Sequence, residues 1–240
     1  MSKLISSSWN KNNDNVVYFE CECGDELMCI SQLHSKEVVI GCITNNGKNK
    51  EIIFSEPSDF CIFMSGLRML RERTRDTESY SHHQKEEPYF SLTLCFDRED
   101  NYFCIGVYEN TTIEENKCYW EVYLTEDNFE ILYQLLEKLF REFLLSFLPI
   151  AQYSEVRILN KEEMNPISID EIDRLHFDLG DGTDIVFSEV MAEHCNEIFK
   201  VSSIMPYVTK EGDVKCTFYI SGNEQLWTSL FNLDMVEVLQ

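Results

Sequence analysis

The chain of 240 residues carries 43 acidic and 20 basic side chains, which gives a net charge of -23. A negative charge of this size repels phosphate backbones and attracts basic surfaces, so it disfavours a protein that grips nucleic acid broadly. Hydrophobic residues make up 44% of the sequence and aromatic residues 12%, which argues against an intrinsically disordered chain.

The N-terminal sequence MSKLISSSWNKNNDN lacks the apolar stretch of a secretory signal or a transit peptide. The ten cysteines are diluted through a long chain and lie mostly in apolar runs, which is typical of reduced, buried thiols. No uncharged apolar segment reaches the roughly 18 residues of a membrane span. We therefore expect a cytoplasmic protein without membrane association.

The first half of the chain predicts strands followed by a helix. Residues 1–15 are polar and predict a flexible arm. From residue 16 onward, turn signals separate four strand-like segments: VVYFECE, LMCISQL, EVVIGCI and EIIF. Apolar residues at helical spacing then predict a helix from about Pro57. The segment near residues 72–88 has no periodicity and predicts a mobile loop.

The same order recurs twice. Three strands are predicted by YFSLTLCF, NYFCIGVYE and CYWEVYL. A long helix follows over residues 125–149, with apolar positions every three or four residues and Thr125 as its cap. In the third repeat of this order, a Gly-Asp-Gly turn separates two predicted strands, RLHFDL and TDIVF. A helix is predicted over about 188–199, and VKCTFYIS predicts one more strand.

Each predicted strand-to-helix junction has an apolar strand end, a hydroxyl residue and then an acid: residues 52–56, 122–126 and 185–189. Capping chemistry alone also generates this signature, so duplication stays an open alternative. We predict an α+β fold of antiparallel β-meanders, each closed by a helix, as two or three similar units. Residues 16–149 would hold two units, and residues 150–240 an acidic α+β region in the same domain or a small second one.

Negative charge is densest in the C-terminal part, where residues 151–240 carry 17 acidic and 6 basic side chains. Between Glu162 and Glu197 eleven acids accompany the single base Arg174. Such a field attracts a basic partner over a Debye length of about 8 Å at physiological salt. The candidate partner-binding residues are Glu162, Glu163, Asp170, Glu171, Asp173, Asp178, Asp181, Asp184, Glu189 and Glu193.

The basic cluster consists of Arg68, Arg71, Arg73 and Arg75. It is an alternative nucleic-acid-binding site, because closely spaced arginines contact phosphates. The favoured interpretation is that these residues complement a helix C-terminus or pair with the acids of the chain itself.

The weak candidate for a zinc site consists of Cys21, Cys23, Cys29 and His34. Zinc sites usually use Cys-x2–4-Cys pairs, whereas the spacing here is Cys-x-Cys and a second close pair is missing. Buried strand thiols are favoured, so we expect no cofactor.

His194 and Cys195 are adjacent on a predicted helix, where their side chains diverge by about 100°, so they cannot form a nucleophile-base pair. Walker, GxGxxG and nucleophile-elbow motifs are absent from the sequence, so an enzyme is not expected.

Two segments resemble known proteins. The opening YFECECGDELMCI resembles the start of some small uncharacterised bacteriophage proteins. The segment YWEVYLTEDNFEILYQLLEKL resembles the strand-to-helix end of PC4-type single-stranded-DNA-binding modules. The second resemblance implies nucleic-acid binding on a sheet lined by basic and aromatic residues, but interleaved Lys and Arg are scarce here.

The sequence therefore predicts a non-enzymatic, acidic interaction protein that docks on a basic protein, such as a nucleic-acid-binding enzyme. One form of this hypothesis is a bacteriophage or mobile-element inhibitor that mimics DNA and blocks a host defence or nucleic-acid-binding protein. The alternatives are a PC4-like single-stranded nucleic-acid-binding module and a solubilising adaptor or assembly subunit. Direct nucleic-acid binding is not expected, and the oligomeric state is left open.

Overall fold

The computed structural model describes residues 4–9, 14–21, 26–32, 37–44, 51–74, 77–82, 89–97, 99–110, 117–178 and 183–239. The chain divides into two compact units, Met1–Phe143 and Leu144–Gln240. Helices combine with antiparallel sheets, which confirms the α+β class.

The first unit begins with a five-stranded antiparallel meander that is followed by a helix. Its elements are β1 (Leu4–Trp9), β2 (Asp14–Glu20), β3 (Glu26–Gln32), β4 (Val38–Thr44), β5 (Ile52–Phe54) and α1 (Pro57–Arg71). β1 pairs with β2 from Leu4 opposite Phe19 to Trp9 opposite Asp14. The expectation of a flexible arm over residues 1–15 is therefore wrong for β1. Its polar composition conceals a strand held by backbone pairing to the meander.

A second antiparallel meander follows, again closed by a helix. Its elements are β6 (Thr77–His82), β7 (Tyr89–Asp97), β8 (Tyr102–Asn110), β9 (Lys117–Leu124) and α2 (Glu126–Leu145). β6 lies inside the segment for which we expected a mobile loop and pairs with β7 along its whole length. The loop prediction is wrong for this strand, because an edge strand needs little apolar periodicity. Residues 75–76 and 83–88 lie outside the described residues.

The two helices of the first unit bury aromatic side chains. Phe54 of β5 stacks on Phe60 and Phe63 of α1, each at 4.9 Å between ring centroids. Phe60 also meets Phe140 of α2 edge-on at 5.0 Å. These contacts fix α1 between the end of the first meander and α2.

The ends of both helices follow local chemistry. Thr125 caps α2 as predicted, since its Oγ1 accepts the backbone N–H of Asn128 at 3.4 Å. α2 ends at Leu145, before the predicted stop, because the chain tightens into i,i+3 bonds such as Phe147 N–H to Leu144 O at 3.1 Å. At α1 the cap position falls on Glu56, and a proline occupies the first helical position.

The second unit contains a five-stranded sheet and a three-stranded sheet, both antiparallel. The spatial orders are β16-β15-β14-β10-β17 and β11-β12-β13. The strands are β10 (Glu155–Ile158), β11 (Ser168–Ile169), β12 (Leu175–Asp178), β13 (Asp184–Phe187), β14 (Ile198–Val208), β15 (Val214–Ser221), β16 (Phe231–Asn232) and β17 (Val236–Leu239). Short helices are α3 (Glu189–Ala192) and two 3₁₀ turns at Lys161–Glu163 and Leu233–Met235. Phe177, Phe187, Phe218 and Phe231 contribute to one buried core.

Several expectations for this unit are confirmed and one is wrong. The predicted hairpin strands are β12 and β13, and the predicted strand VKCTFYIS is β15. The helix predicted over residues 188–199 is wrong beyond Ala192, because Asn196 adopts a left-handed φ of 67° and β14 begins at Ile198. The three predicted strand-to-helix junctions are present as β5–α1, β9–α2 and β13–α3.

Candidate partner-binding surface

We use the term acidic segment for residues 162–197, which run from the first 3₁₀ turn through the three-stranded sheet and α3 to the start of β14. Nine of the ten predicted partner-binding residues lie among the described residues, and Asp181 lies outside them. The nine fall into two groups. Glu163, Asp170 and Asp184 form hydrogen bonds within the unit, although Glu163 and Asp184 are also exposed, and the other six are exposed on the surface.

Asp170 belongs to the structural group. Its Oδ1 accepts the backbone N–H groups of Ile172 at 3.1 Å and Arg174 at 2.9 Å, and its Oδ2 pairs with Arg174 Nε at 2.7 Å. The backbone N–H of Arg174, followed by its guanidinium and other donors, holds the pKa of this carboxyl well below its usual range. Asp170 therefore organises the turn between β11 and β12.

Asp184 joins the same network through His176. The imidazole of His176 lies between Asp184, which contacts Nδ1, and Asp170, whose Oδ2 is 3.4 Å from Nε2. The hydrogen bonds that the imidazole donates to Asp184 and then to Asp170 raise the pKa of His176. These two acids of the segment are thus directed at an internal histidine.

Glu163 also has an internal role. Its Oε2 accepts the backbone N–H of Asn160 at 2.9 Å in a capping box and lies 3.3 Å from Arg157 Nη1. The backbone N–H of Asn160 and the Arg157 guanidinium lower the pKa of Glu163. Arg157 is shared, since its Nε contacts Glu237 at 2.7 Å.

The remaining predicted acids lie on the surface. The exposed residues are Glu162, Glu171, Asp173, Asp178, Glu189 and Glu193. Asp178 takes part in an interaction within the chain. Together these carboxylates give the segment its outward negative charge, and they are the part of the prediction that a partner could reach.

Three exposed isoleucines accompany these acids, and the charge pattern of the sequence did not indicate them. Ile167, Ile169 and Ile172 are 63%, 60% and 67% exposed. Ile169 lies in the edge strand β11, and the backbone N–H of Ile167 bonds to His176 O at 2.8 Å, which extends that edge. We call residues 167–173 the acidic-apolar edge. The signal available in the sequence was the Ile-x-Ile alternation inside a polar run.

The arginine cluster is engaged within the first unit. Arg71 donates two hydrogen bonds of 2.7 Å to Glu130, and Arg73 donates one of 2.8 Å to Glu126. The Arg71 guanidinium also lies 4.5 Å from the ring centroid of Tyr133, whose hydroxyl accepts a bond from Arg68 Nε at 3.5 Å. The guanidinium group of Arg73 also lies over an aromatic ring. This geometry agrees with internal pairing; Arg75 lies outside the described residues.

The weak zinc candidate lies largely outside the described residues. Cys23 and His34 are not among them, and the side chain of Cys29 is not described. Cys21 is buried, and its sulfur accepts the backbone N–H of Tyr123 at 3.3 Å. Within the described ranges no group of three or more His, Cys, Asp or Glu side chains is arranged to hold a metal ion.

His194 does not pair with its neighbour Cys195. Its Nδ1 lies 3.0 Å from Glu197 Oε2, and its Nε2 lies 3.2 Å from Gln225 Oε1. The hydrogen bond that His194 donates to Glu197 is the largest of the effects that raise the pKa of His194, whereas burial raises the pKa of the Cys195 thiol. The imidazole therefore ties the end of the acidic segment to the turn after β15.

No protein-family model matches the chain, and no curated protein matches it significantly. Of the helices in the described part of the chain, none has both the length and the apolar character needed to cross a membrane.

Proposed function

We propose that this chain is a non-enzymatic interaction protein whose acidic segment binds a basic protein surface in the cytoplasm. The observation that carries the proposal is the acidic-apolar edge, where exposed isoleucines stand among exposed carboxylates. A surface that only keeps a protein in solution gains nothing from exposed isoleucines, whereas a docking surface uses them to bury area.

The charge defines the chemistry of the partner. The second unit carries 17 acids and 6 bases, and Arg157 and Arg174 are already paired with acids. A partner with Lys and Arg around an apolar patch complements this surface and is steered to it by the field. Nucleic-acid-binding proteins present such surfaces, so the finer proposal is an inhibitor that occupies a phosphate-binding surface, of the kind that a bacteriophage or mobile element deploys against its host.

A nucleic-acid-binding function is not proposed as a second candidate. The described arginines of the cluster, Arg68, Arg71 and Arg73, donate hydrogen bonds to side chains of α2. An oligonucleotide would have to compete with these internal acids for the same guanidinium groups.

The test is an affinity capture from a bacterial lysate with the wild-type chain and two charge variants. The first variant carries E162Q, E171Q, D173N, E189Q and E193Q, which neutralise five exposed acids of the segment. The matched control neutralises five exposed acids of the first unit: E51Q, E56Q, E72Q, E99Q and D100N. Bound proteins are identified and bound nucleic acid is assayed in the same eluate.

We expect wild type and control to retain the same basic protein and to release it as salt rises, and the segment variant to lose it. A partner retained equally by all three chains would overturn the proposal, and so would recovery of nucleic acid without a basic protein.

A further inference from the structure

The second unit contains an open cleft of ≈ 890 Å³ beside the end of β15. Two backbone features shape it. The pairing register between β14 and β15 shifts between Val201 and Ser203, which places Ser202 at a bulge on the cleft wall. Gly222 turns the chain with a φ of +98°, and a Cβ built there would meet nothing within 4 Å. The turn therefore leaves space rather than filling it.

Trp227 lines this cleft and is 71% exposed, the largest value among the large apolar side chains whose exposure the structure describes. An indole that contributes so little to the core is available for a ligand, and Trp is among the residues that most often anchor a binding partner.

The polar side chains of the cleft present acceptors. Ser202 Oγ donates its hydrogen to Tyr219 O at 3.1 Å, and Ser221 Oγ donates its hydrogen to Lys200 O at 3.1 Å. Each hydroxyl group has thus used its hydrogen, so its oxygen can only accept further hydrogen bonds. Glu224 adds a carboxylate, which is also an acceptor. The amide nitrogen of Asn223 is turned toward His194. Among the described residues that line the cleft none is Lys or Arg, so the indole N–H is the side-chain donor left.

His194 connects the cleft residue Asn223 to the acidic segment. Its Nε2 lies 3.2 Å from Gln225 Oε1 and 3.2 Å from Asn223 Nδ2, and its Nδ1 lies 3.0 Å from Glu197 Oε2. Glu193 lies next to His194 in the chain and is exposed. A ligand in the cleft therefore meets the Glu224 carboxylate directly and lies near the acidic segment.

We propose that this cleft binds the guanidinium group of an arginine side chain of the basic partner. The Trp227 ring stacks on the planar face of the guanidinium, while Glu224 and the serine oxygens accept its N–H groups. Arginine fits better than lysine, because its planar fork carries five donors and stacks on aromatic rings, whereas an ammonium group is compact and strongly hydrated. The inference rests on the proposed function and specifies which partner side chain anchors it.

The test compares three fluorescein-labelled, acetylated and amidated tetrapeptides: tetra-arginine, tetralysine and tetracitrulline. Binding to the wild type, Trp227→Ala, Trp227→Phe and Glu224→Gln is measured by fluorescence anisotropy at low salt. Because Trp227 is exposed, the alanine variant should keep its fold, which is checked by its thermal unfolding midpoint.

We expect the wild type to bind tetra-arginine about three- to tenfold more tightly than tetralysine, and tetracitrulline far more weakly. Trp227→Ala should abolish the preference for arginine while leaving tetralysine affinity within about twofold, and Trp227→Phe should retain part of the preference. Glu224→Gln should weaken both cationic peptides.

Equal affinity of the wild type for the arginine and lysine peptides would overturn the cleft assignment and leave the proposed function standing. Citrulline binding equal to arginine binding would do the same, because it would show that the ligand need not be charged. If neither cationic peptide binds, the cleft assignment fails, and the proposed function is then decided by the lysate capture alone.

Discussion

The arginine cluster at the end of α1 and the acidic segment of the second unit both consist of like charges. They differ in how many of those charges have an oppositely charged partner within the chain. Arg71 and Arg73 find Glu130 and Glu126 on α2 and lie over aromatic rings. In the acidic segment Asp170, Asp184 and Glu163 have partners within the unit, whereas Glu171 and Asp173 of the acidic-apolar edge and Glu189 of α3 lie exposed on the surface.

The difference follows from the composition around each cluster. The first unit has 26 acids for 14 bases, so an arginine there finds a carboxylate readily. The second unit has 17 acids for 6 bases, so most of its acids cannot be paired within the unit. A charge cluster of the minority sign is thus neutralised internally, and one of the majority sign is available to a partner.

The largest effect is expected at the acidic-apolar edge. The triple variant Ile167→Ser, Ile169→Ser and Ile172→Ser removes roughly 1 kcal/mol of interface burial per side chain, so partner affinity should fall about 100-fold. Titration calorimetry with the captured basic partner measures it. The matched control is the triple serine variant of the exposed isoleucines of the first unit, Ile53, Ile62 and Ile131, which should bind like wild type. A loss smaller than about threefold would show that charge alone makes the contact.

A smaller effect, on stability, separates the structural acids from the exposed ones. Asp170→Asn should lower the thermal unfolding midpoint, because the charged acceptor of two backbone N–H groups and of Arg174 is lost. Asp173→Asn removes the same charge at an exposed position with a φ of 57°, which Asn tolerates well, and should leave the midpoint unchanged. Since the pKa of Asp170 is lowered by folding, its contribution is present above about pH 4 and is lost on acidification. Equal thermal unfolding midpoints for the two variants at neutral pH would contradict the division into structural and exposed acids.

The pH dependence of the second unit should show the internal pairing of His176. Folding raises the pKa of His176, so the folded state binds the proton more tightly. The resulting stability is present below about pH 6.5 and is lost as the pH rises through the raised value. Chemical denaturation from pH 5.5 to 8.5 should show a declining free energy of unfolding, with a shallower decline in His176→Gln. His194 adds to the same slope, because its pKa is raised too, so the double variant with His194→Gln should be flatter still. A slope unaffected by both substitutions would show that neither histidine is held by its acids.

The fold was predictable where apolar periodicity carries it. The order of meanders and helices was predictable because α1, α2 and the β12–β13 pair bury apolar residues at regular spacing. The polar edge strands β1 and β6 were not predictable, because backbone pairing holds them and composition does not record it. The end of α3 was missed because a left-handed asparagine and a following strand override local helical spacing.

Of the candidate surface, only its negative charge was predictable from the sequence. The sequence located the acidic segment, but it could not separate Asp170, bound to two backbone N–H groups, from the exposed Asp173 three residues later. It also gave no reason to select Trp227, because an exposed tryptophan and a buried one look the same in the sequence.

The smallest effect is expected at the arginine cluster. Arg71→Gln together with Arg73→Gln should change the binding of a single-stranded oligonucleotide by less than about twofold, because these guanidinium groups are already hydrogen-bonded to Glu130 and Glu126. Fluorescence anisotropy with a labelled single-stranded DNA measures it, and Lys210→Gln with Lys215→Gln serves as a control of equal charge change. If wild type binds the DNA and the arginine variant alone loses it, the internal ion pairs open for phosphate. The contrast between a neutralised basic cluster and an available acidic segment would then be wrong.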